Sequence, residues 1–222
     1  MSAAGALLDR LGRPGDIRLG TARPSPVVRL PTGLAVLDDA LGGGLPRGRV
    51  TELAGPPSAG RTGLACAIAA SATRAGETIA WVDAEDALEP ASAAAADVAL
   101  ARVLWVRPRN VPDAFRAAEI LLGAGGFGLV VLDVGSGRRE PILWPRLARA
   151  AERTGSTLLA IARCRQAGTF AAIGLDVVAR RVRWSGGPGR LLLLEGIDAR
   201  VTVARSRIGR TGQALVVRQL CG

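Results

Sequence analysis

Residues 55–62, Gly-Pro-Pro-Ser-Ala-Gly-Arg-Thr, have the residue types and spacing of a phosphate-binding loop. The glycines let backbone N–H groups converge on a phosphate, and the helix that follows adds the positive end of its dipole. A threonine at the last position of such a loop holds magnesium. The sequence therefore predicts a nucleotide site formed by Gly55, Ser58, Ala59, Gly60, Arg61 and Thr62.

Arg61 stands where a working phosphate loop carries lysine. Lysine presents a compact ammonium that acts as a point charge between the terminal phosphates, whereas guanidinium is a broad planar fork. All 29 basic residues of the chain are arginine, but a general preference for arginine does not restore the ammonium. We therefore expect the loop to bind Mg-ATP weakly or not at all, and catalysis to be lost.

The elements around this loop alternate between short apolar strands and helices. Helices are predicted over Thr62–Ala75 and over Val111–Leu122, the second capped by Asn110 and ended by Gly123. Strands that are apolar on both faces and alternate with helices indicate a mostly parallel sheet with helices on both faces. The predicted strands are Val50–Leu53, Thr78–Val82, Val103–Val106, Leu129–Asp133 and Thr157–Ile161.

Beyond residue 175 the pattern changes to strands alone, which predicts antiparallel strands added to the sheet at its C-terminal end. A turn over Ser185–Gly189 separates the first two. These strands are Val177–Arg183, Arg190–Glu195, Val201–Arg205 and Ala214–Gln219. The fold class is therefore α/β, in one core domain over residues 31–222 that follows an N-terminal arm at residues 1–30.

Composition excludes several classes of protein. The chain has three cysteines, widely separated, and no histidine, so neither a zinc site nor a redox cofactor is predicted. Its apolar runs are too short to cross a bilayer, and its N-terminus lacks the pattern of a secretory signal. A cytoplasmic protein is expected.

The basic residues are concentrated in the second half of the chain. Up to Asn110 there are 12 Arg against 11 acidic residues, and beyond it there are 17 Arg against 8. This asymmetry favours an anionic partner such as single-stranded DNA, although solvated surface arginines explain it equally well. The candidates for DNA contact are Arg163, Arg165, Arg180, Arg181 and Arg183.

Several segments resemble the RecA family, and the resemblance covers nearly the whole chain. The segment Leu41–Arg49 resembles the family's approach to its phosphate loop, and Asp83–Pro90 resembles a motif more specific to bacterial RecA. The resemblance implies that Glu85 positions the attacking water and that Asp133 supports the magnesium shell with Thr62. It also implies that Arg205 and Arg207, on one face of a strand, contact the phosphates of a neighbouring subunit's ATP or another partner, and that the arm packs on a neighbour. The alternative for this arginine pair is a solvated strand edge that discourages aggregation.

The chain also departs from the family. Ser92 stands in place of the aromatic residue that stacks on adenine, and Arg163-Cys164 replaces the glutamine that senses the terminal phosphate. The DNA loop at 165–176 is short, as is the one at Gly135–Pro141, and RecA's C-terminal lobe is not expected. This combination resembles the ImuA family of RecA-related accessory proteins in bacterial SOS mutagenesis. It implies a role in translesion synthesis with RecA, an ImuB-type adaptor and an error-prone polymerase as partners.

Two other functions stay open. Thr62, Glu85 and Asp133 are compatible with a shortened but active DNA-dependent ATPase or recombinase, and self-association is compatible with that function. A cell-division inhibitor of the SulA type, which is also derived from the RecA core, is disfavoured by the better-preserved loop and the Asp83–Pro90 motif.

Overall fold

A computed structural model describes residues 27–135, 142–187, 193–209 and 211–220. Ten strands lie in these ranges, and eight of them form one sheet. The strands are β1 (Arg29–Leu30), β2 (Leu45–Pro46), β3 (Val50–Ala54), β4 (Ile79–Asp83), β5 (Val103–Val106), β6 (Leu129–Gly135), β7 (Thr157–Ala162), β8 (Ala171–Ser185), β9 (Leu193–Ser206) and β10 (Ala214–Leu220).

Five α-helices and two short 3₁₀ turns connect the strands over the described ranges. The helices are α1 (Ala35–Leu41), α2 (Arg61–Arg74), α3 (Pro90–Ala95), α4 (Val111–Ala124) and α5 (Trp144–Thr154). The 3₁₀ turns are Leu100–Arg102 and Gly168–Phe170.

The sheet has the strand order β10-β9-β8-β3-β7-β6-β4-β5. From β8 to β5 every neighbouring pair is parallel, whereas β9 and β10 are added to β8 in antiparallel fashion. This confirms the predicted fold class, an α/β core with a mostly parallel sheet and with antiparallel strands at its C-terminal end.

Apolar cores lie on both faces of the sheet. On one face α2 buries Leu64 and Ile68 against the sheet, together with Trp81 of β4. On the other face α4 and α5 bury Phe115 and Trp144, whose rings meet edge to face with centroids 5.1 Å apart. Because both faces are covered, the central strands are mostly apolar, as the sequence predicted.

The C-terminal strands differ from the prediction in length and number. β8 begins at Ala171 rather than at 177, because the buried run 171–177 pairs with β3. Residues 193–195, the described part of the predicted strand Arg190–Glu195, and the predicted strand Val201–Arg205 belong to one strand, β9, since residues 196–200 keep pairing with both neighbours. The glycine and aspartate in that stretch suggested an interruption, but the chain absorbs them at local shifts of register.

The helix α4 was predicted to end at Gly123, and the structure places its end slightly later. α4 continues through Gly123 and ends before Gly125, whose φ of 73° is left-handed. Its predicted cap is confirmed, because the Asn110 side chain accepts a hydrogen bond from the Asp113 N–H at 2.8 Å. The arm at residues 1–26, most of the loop at Gly135–Pro141 and the end of the turn at Ser185–Gly189 lie outside the described residues.

Beyond the level of the phosphate loop, β8, β9 and β10 continue as a three-stranded antiparallel extension. Ala54, the last residue of β3, pairs with Asp176, and β8 continues from there to Ser185. The extension therefore projects from the edge of the sheet at which the parallel strands end, next to the predicted nucleotide site.

Candidate nucleotide site and basic surface

The predicted phosphate loop joins the end of β3 to the start of α2. The Gly55 N–H donates to the Ala162 carbonyl of β7 at 3.2 Å, and a Cβ at Gly55 would collide with the Val177 carbonyl oxygen of β8. Ser58 and Gly60 have left-handed backbones, with φ of 59° and 91°. The loop is therefore wedged between two strands and keeps the glycines that its shape requires.

Helix α2 begins at Arg61, directly after the loop. Gly60 occupies its N-cap position and supplies no side-chain acceptor, and the first turn carries no acidic residue. The first N–H groups of α2 are thus left for a ligand or solvent, which is the usual arrangement for phosphate binding. Thr62 is partly exposed in this first turn, where a magnesium-ligating hydroxyl belongs.

Two carboxylates lie beside this loop at the ends of neighbouring parallel strands. Asp83 ends β4 and Asp133 lies near the end of β6, and the strand register pairs them directly. Both side chains are buried, with relative exposures of 1% and 4%. Asp83 accepts N–H groups from Ala87 and Leu88 at 3.0 and 2.9 Å, so it shapes the loop that carries Glu85.

Burial raises the pKa of Asp133 to about 6 from an ordinary value of 3.8. The neighbouring carboxylates of Asp83 and Glu85 raise the pKa further, whereas the Gly135 N–H, which donates to Asp133 at 3.0 Å, and the charge of Arg61 lower it. Glu85 lies over Gly135, because a Cβ at that glycine would overlap the Glu85 carboxylate. The structure therefore brings together Arg61, Asp83, Glu85 and Asp133 at one edge of the sheet.

Arg61 provides the cation of this cluster. Its Nη1 is buried and has no hydrogen-bond partner among the described residues, and its charge acts on Asp133. The guanidinium thus acts on an acid at this edge of the sheet. It is a planar fork, broader than the compact ammonium of a lysine.

The sequence analysis missed Glu52, a buried acid on β3 with 3% exposure. Its Oε1 accepts the N–H groups of Gln166 and Ala167, both at 2.6 Å. The segment that follows β7 is thereby tied to the strand that leads into the phosphate loop. The signal was present in the sequence as a single charged residue within the apolar run 50–54.

Arg163 and Arg165 belong to this tied segment, and the structure brings Arg205 close to the second of them. Arg163 has an exposed side chain just past β7. The Arg165 Nε lies 3.4 Å from Asp176, and the Arg205 Nη1 donates to the Gly168 carbonyl at 2.6 Å. A Cβ at Gly174 would touch both Arg165 and Arg205, so these two side chains lie together over β8.

Arg205 and Arg207 lie at the end of β9. β9 ends at Ser206, and the N–H of Arg207, one residue further on, still donates to the Ala172 carbonyl of β8 at 2.9 Å. The Arg207 side chain lines a depression with Arg49 and Arg149. A common partner for Arg205 and Arg207 stays a prediction.

The β8 arginines belong to a basic face on the C-terminal strands. Arg181 pairs with Asp198 and Arg183 with Gly196, whereas Arg180 lies at a shift of register. Residues that pair across neighbouring strands share a face of the sheet. The register therefore places Arg200 of β9 and Arg218 of β10, which were not predicted from the sequence, on the same face as Arg181 and Arg183 of β8. We call this the basic face; it consists of Arg181, Arg183, Arg200 and Arg218 around Asp198.

Asp198 offsets only part of this charge. It lies 3.8 Å from Arg183 and 3.7 Å from Arg218, which are long contacts, and within the described ranges Arg181 and Arg200 form no ion pair. The side chains of Arg181 and Arg200 are exposed. The face therefore presents a cationic surface next to the nucleotide site.

The described ranges were searched for side chains that could hold a metal ion and for helices that could span a membrane. No group of three or more Cys, Asp or Glu side chains is arranged to hold a metal ion there. Cys66 is a buried free thiol whose pKa burial raises to about 11, and Cys164 is a free thiol at the surface. None of the helices there is long and apolar enough to span a bilayer.

Comparison with known proteins shows to which family the chain belongs. Protein RecA of Clavibacter michiganensis is 42% identical over 135 residues, which are 60% of this chain and 37% of that protein. Protein RecA of Paenarthrobacter aurescens is also 42% identical, over 60% of this chain and 39% of that protein. The chain thus spans less than two fifths of the length of these curated relatives.

A crystal structure of the RadB recombinase matches the fold with a TM-score of 0.66 at 21% identity. The match covers 85% of this chain and 95% of the RadB chain. The family described as the RecA N-terminal domain matches residues 3–138, which is more than half of the 222 residues. This chain therefore belongs to the RecA N-terminal domain family.

Proposed function

We propose that this protein is a RecA-like accessory protein of SOS-induced DNA damage tolerance that turns over ATP weakly or not at all. The observation that carries the proposal is the position of Arg61 at the start of α2, with a buried Nη1 and with a charge that acts on Asp133. A phosphate loop that keeps its fold but replaces its ammonium supports a role in binding partners rather than in catalysis.

Proteins of the RecA family bind ATP with magnesium. In this chain the N–H groups of Arg61 and Thr62, at the end of the loop and the start of α2, would hold the phosphates, and Thr62 and Asp133 would hold the magnesium ion. Bound magnesium would neutralise charge on the phosphates. Arg61 would contact the phosphates as a broad fork, and Ser92, whose side chain is exposed on α3, offers no ring for the adenine.

The proposed partners are a RecA subunit or filament end, an ImuB-type adaptor and an error-prone polymerase, in the cytoplasm. The contact with RecA would use residues 1–30 and the basic C-terminal strands. Arg205 supports this assignment, because the Gly168 carbonyl accepts a hydrogen bond from its side chain and holds it at the surface.

Single-stranded DNA is a further proposed ligand of the basic face. Its guanidinium groups are exposed and incompletely paired, and they recur on neighbouring strands about 4.8 Å apart. Binding through phosphates alone would be independent of sequence and would weaken steeply with salt.

A pull-down tests the partner assignment. The full chain and a variant that lacks residues 1–25 are compared for capture of RecA and of the ImuB-type adaptor. We expect the truncation to abolish capture of RecA, and undiminished capture would remove the arm from the proposed contact surface.

A shortened but active DNA-dependent ATPase is the second candidate. The observation in its favour is that Glu85 and Asp133 remain together beside the loop, over and next to Gly135. Phosphate release measured with and without single-stranded DNA distinguishes the two candidates. Turnover that Glu85→Gln abolishes would support the enzyme, whereas the accessory role predicts turnover at background level in both proteins.

A further inference from the structure

A groove of about 660 Å³ lies between α4 and α5, on the outside of the sheet and away from the nucleotide site. Its apolar lining comes from Pro112, Ile120 and Leu143. Three arginines line it as well: Arg116, Arg146 and Arg153. Neither the phosphate loop nor the basic face contributes to it.

Helical periodicity places these residues on the two facing sides of the groove. Residues 112, 116 and 120 recur every four positions along α4, and residues 146 and 153 are seven positions apart on α5. A Cβ at Gly123 of α4 would lie 3.4 Å from the Arg153 Nη2, so that glycine leaves room for the Arg153 guanidinium.

Both acidic residues that line the groove, Asp113 and Glu119, already have hydrogen-bond partners. Glu119 holds Arg146 in a two-point ion pair, with both N···O distances at 2.9 Å. Asp113 accepts a hydrogen bond from the Asn110 side chain at 2.9 Å in the first turn of α4. Arg116 and Arg153 are exposed and form no ion pair within the described ranges.

The apolar part of the groove is open to solvent. Ile120 is 64% exposed although it stands on a helix that packs against the sheet core through its opposite side. The groove thus combines an exposed aliphatic side chain, Ile120, with two guanidinium groups that form no ion pair within the described ranges, those of Arg116 and Arg153. A surface that carries both apolar and acidic side chains would complement it.

We propose that this groove binds an acidic amphipathic helix of a partner protein. Such a helix would place leucine-like side chains on Ile120 and Leu143 and carboxylates on Arg116 and Arg153. A nucleic acid would satisfy the arginines but would leave Ile120 uncovered. A second copy of this chain is disfavoured because its net charge of +10 repels a cationic groove.

A designed peptide tests the groove directly, using the full-length protein. The probe is a fluorescent synthetic helix of about five turns, with leucine at every third or fourth position and glutamate on the flanks. We expect saturable binding by anisotropy, weakened about tenfold by Arg116→Glu combined with Arg153→Glu. Ile120→Ser should weaken binding about fivefold, because it removes the apolar contact.

Matched variants outside the groove serve as controls. Arg149→Glu changes the same charge on the same helix, but Arg149 lines a different depression. Val36→Ser removes a similarly exposed aliphatic side chain on α1. We expect both controls to bind as the wild type does. All these substitutions are at exposed positions, and thermal melts verify that each variant folds.

Three results would overturn the inference. The first is no binding up to about 1 mM peptide. The second is equal binding of a scrambled peptide or equal affinity of the groove variants. The third is displacement by a single-stranded oligonucleotide whose own binding the groove variants abolish, which would make the groove a phosphate site. None of these results depends on whether the chain binds or hydrolyses ATP.

Discussion

Asp83 and Asp133 lie directly opposite each other on the adjacent parallel strands β4 and β6, and both carboxylates are buried. Their roles differ, because Asp83 accepts two backbone N–H groups of the loop beyond it, whereas Asp133 accepts one such group among the described residues. The cost of burying the Asp133 carboxylate is therefore offset by fewer backbone hydrogen bonds, and burial raises its pKa.

The pKa of Asp133, raised to about 6, makes its ionisation destabilising. The folded protein holds this proton more tightly than the unfolded chain does, so the penalty is absent below pH 3.8, grows up to about pH 6 and is constant above. Asp133→Asn should therefore raise the free energy of unfolding at pH 7.5 by up to about 3 kcal/mol.

Chemical denaturation at several pH values measures this effect. The difference between Asp133→Asn and the wild type should vanish near pH 4. Asp97→Asn, which removes a carboxylate whose side chain is 81% exposed, should change stability by less than about 0.5 kcal/mol throughout. A difference for Asp133→Asn that does not vary with pH would contradict the account.

Glu52 should be among the most sensitive positions for stability. Glu52→Ala leaves the N–H groups of Gln166 and Ala167 buried without their acceptor, at a cost of about 2–4 kcal/mol. Glu152→Ala removes an exposed glutamate paired with Arg49 and should cost less than about 1 kcal/mol. Urea denaturation compares the two variants, and equal effects would show that the Glu52 contacts do not hold the segment.

Gly55 should tolerate no side chain, because a Cβ there meets the Val177 carbonyl. Gly55→Ala is expected to cost about 1–3 kcal/mol through displacement of the loop or of β8. Gly187→Ala is the matched control, since its Cβ would meet nothing within 4 Å. Thermal melts that place both variants within error of the wild type would mean that the loop is not wedged between the strands.

The basic face should contribute ionic contacts to DNA. Replacing Arg200 and Arg218 by alanine should weaken binding of a fluorescent single-stranded oligonucleotide and lower the salt slope by about 2. Arg74→Ala, at the far end of α2, is the control and should leave the slope unchanged. An unchanged slope in the double variant would remove this face from the DNA-binding surface.

Local patterns in the sequence predicted the parallel core, because each central strand is a continuous apolar run between helices. The phosphate loop was equally readable, since its shape depends on glycines at set positions. The extent of β9 was not readable, because Gly196 and Asp198 resemble a turn and only pairing with β8 and β10 shows a strand.

The same reason explains the site residues that were missed. Arg200 and Arg218 join Arg181 only through the register of three strands that are distant in sequence. Glu52 is recognisable as a lone acid in an apolar strand, but its partners at 166 and 167 are more than a hundred residues away.

The replacement of lysine by Arg61 is tested most directly by calorimetric titration of Mg-ATP into the wild type and into Arg61→Lys, followed by phosphate-release assays. We predict that Arg61→Lys binds at least about tenfold more tightly than the wild type, because a compact ammonium fits between the phosphates of ATP where the broad guanidinium does not. Tight binding and rapid turnover by the wild type, abolished by Glu85→Gln and not improved by Arg61→Lys, would contradict the account.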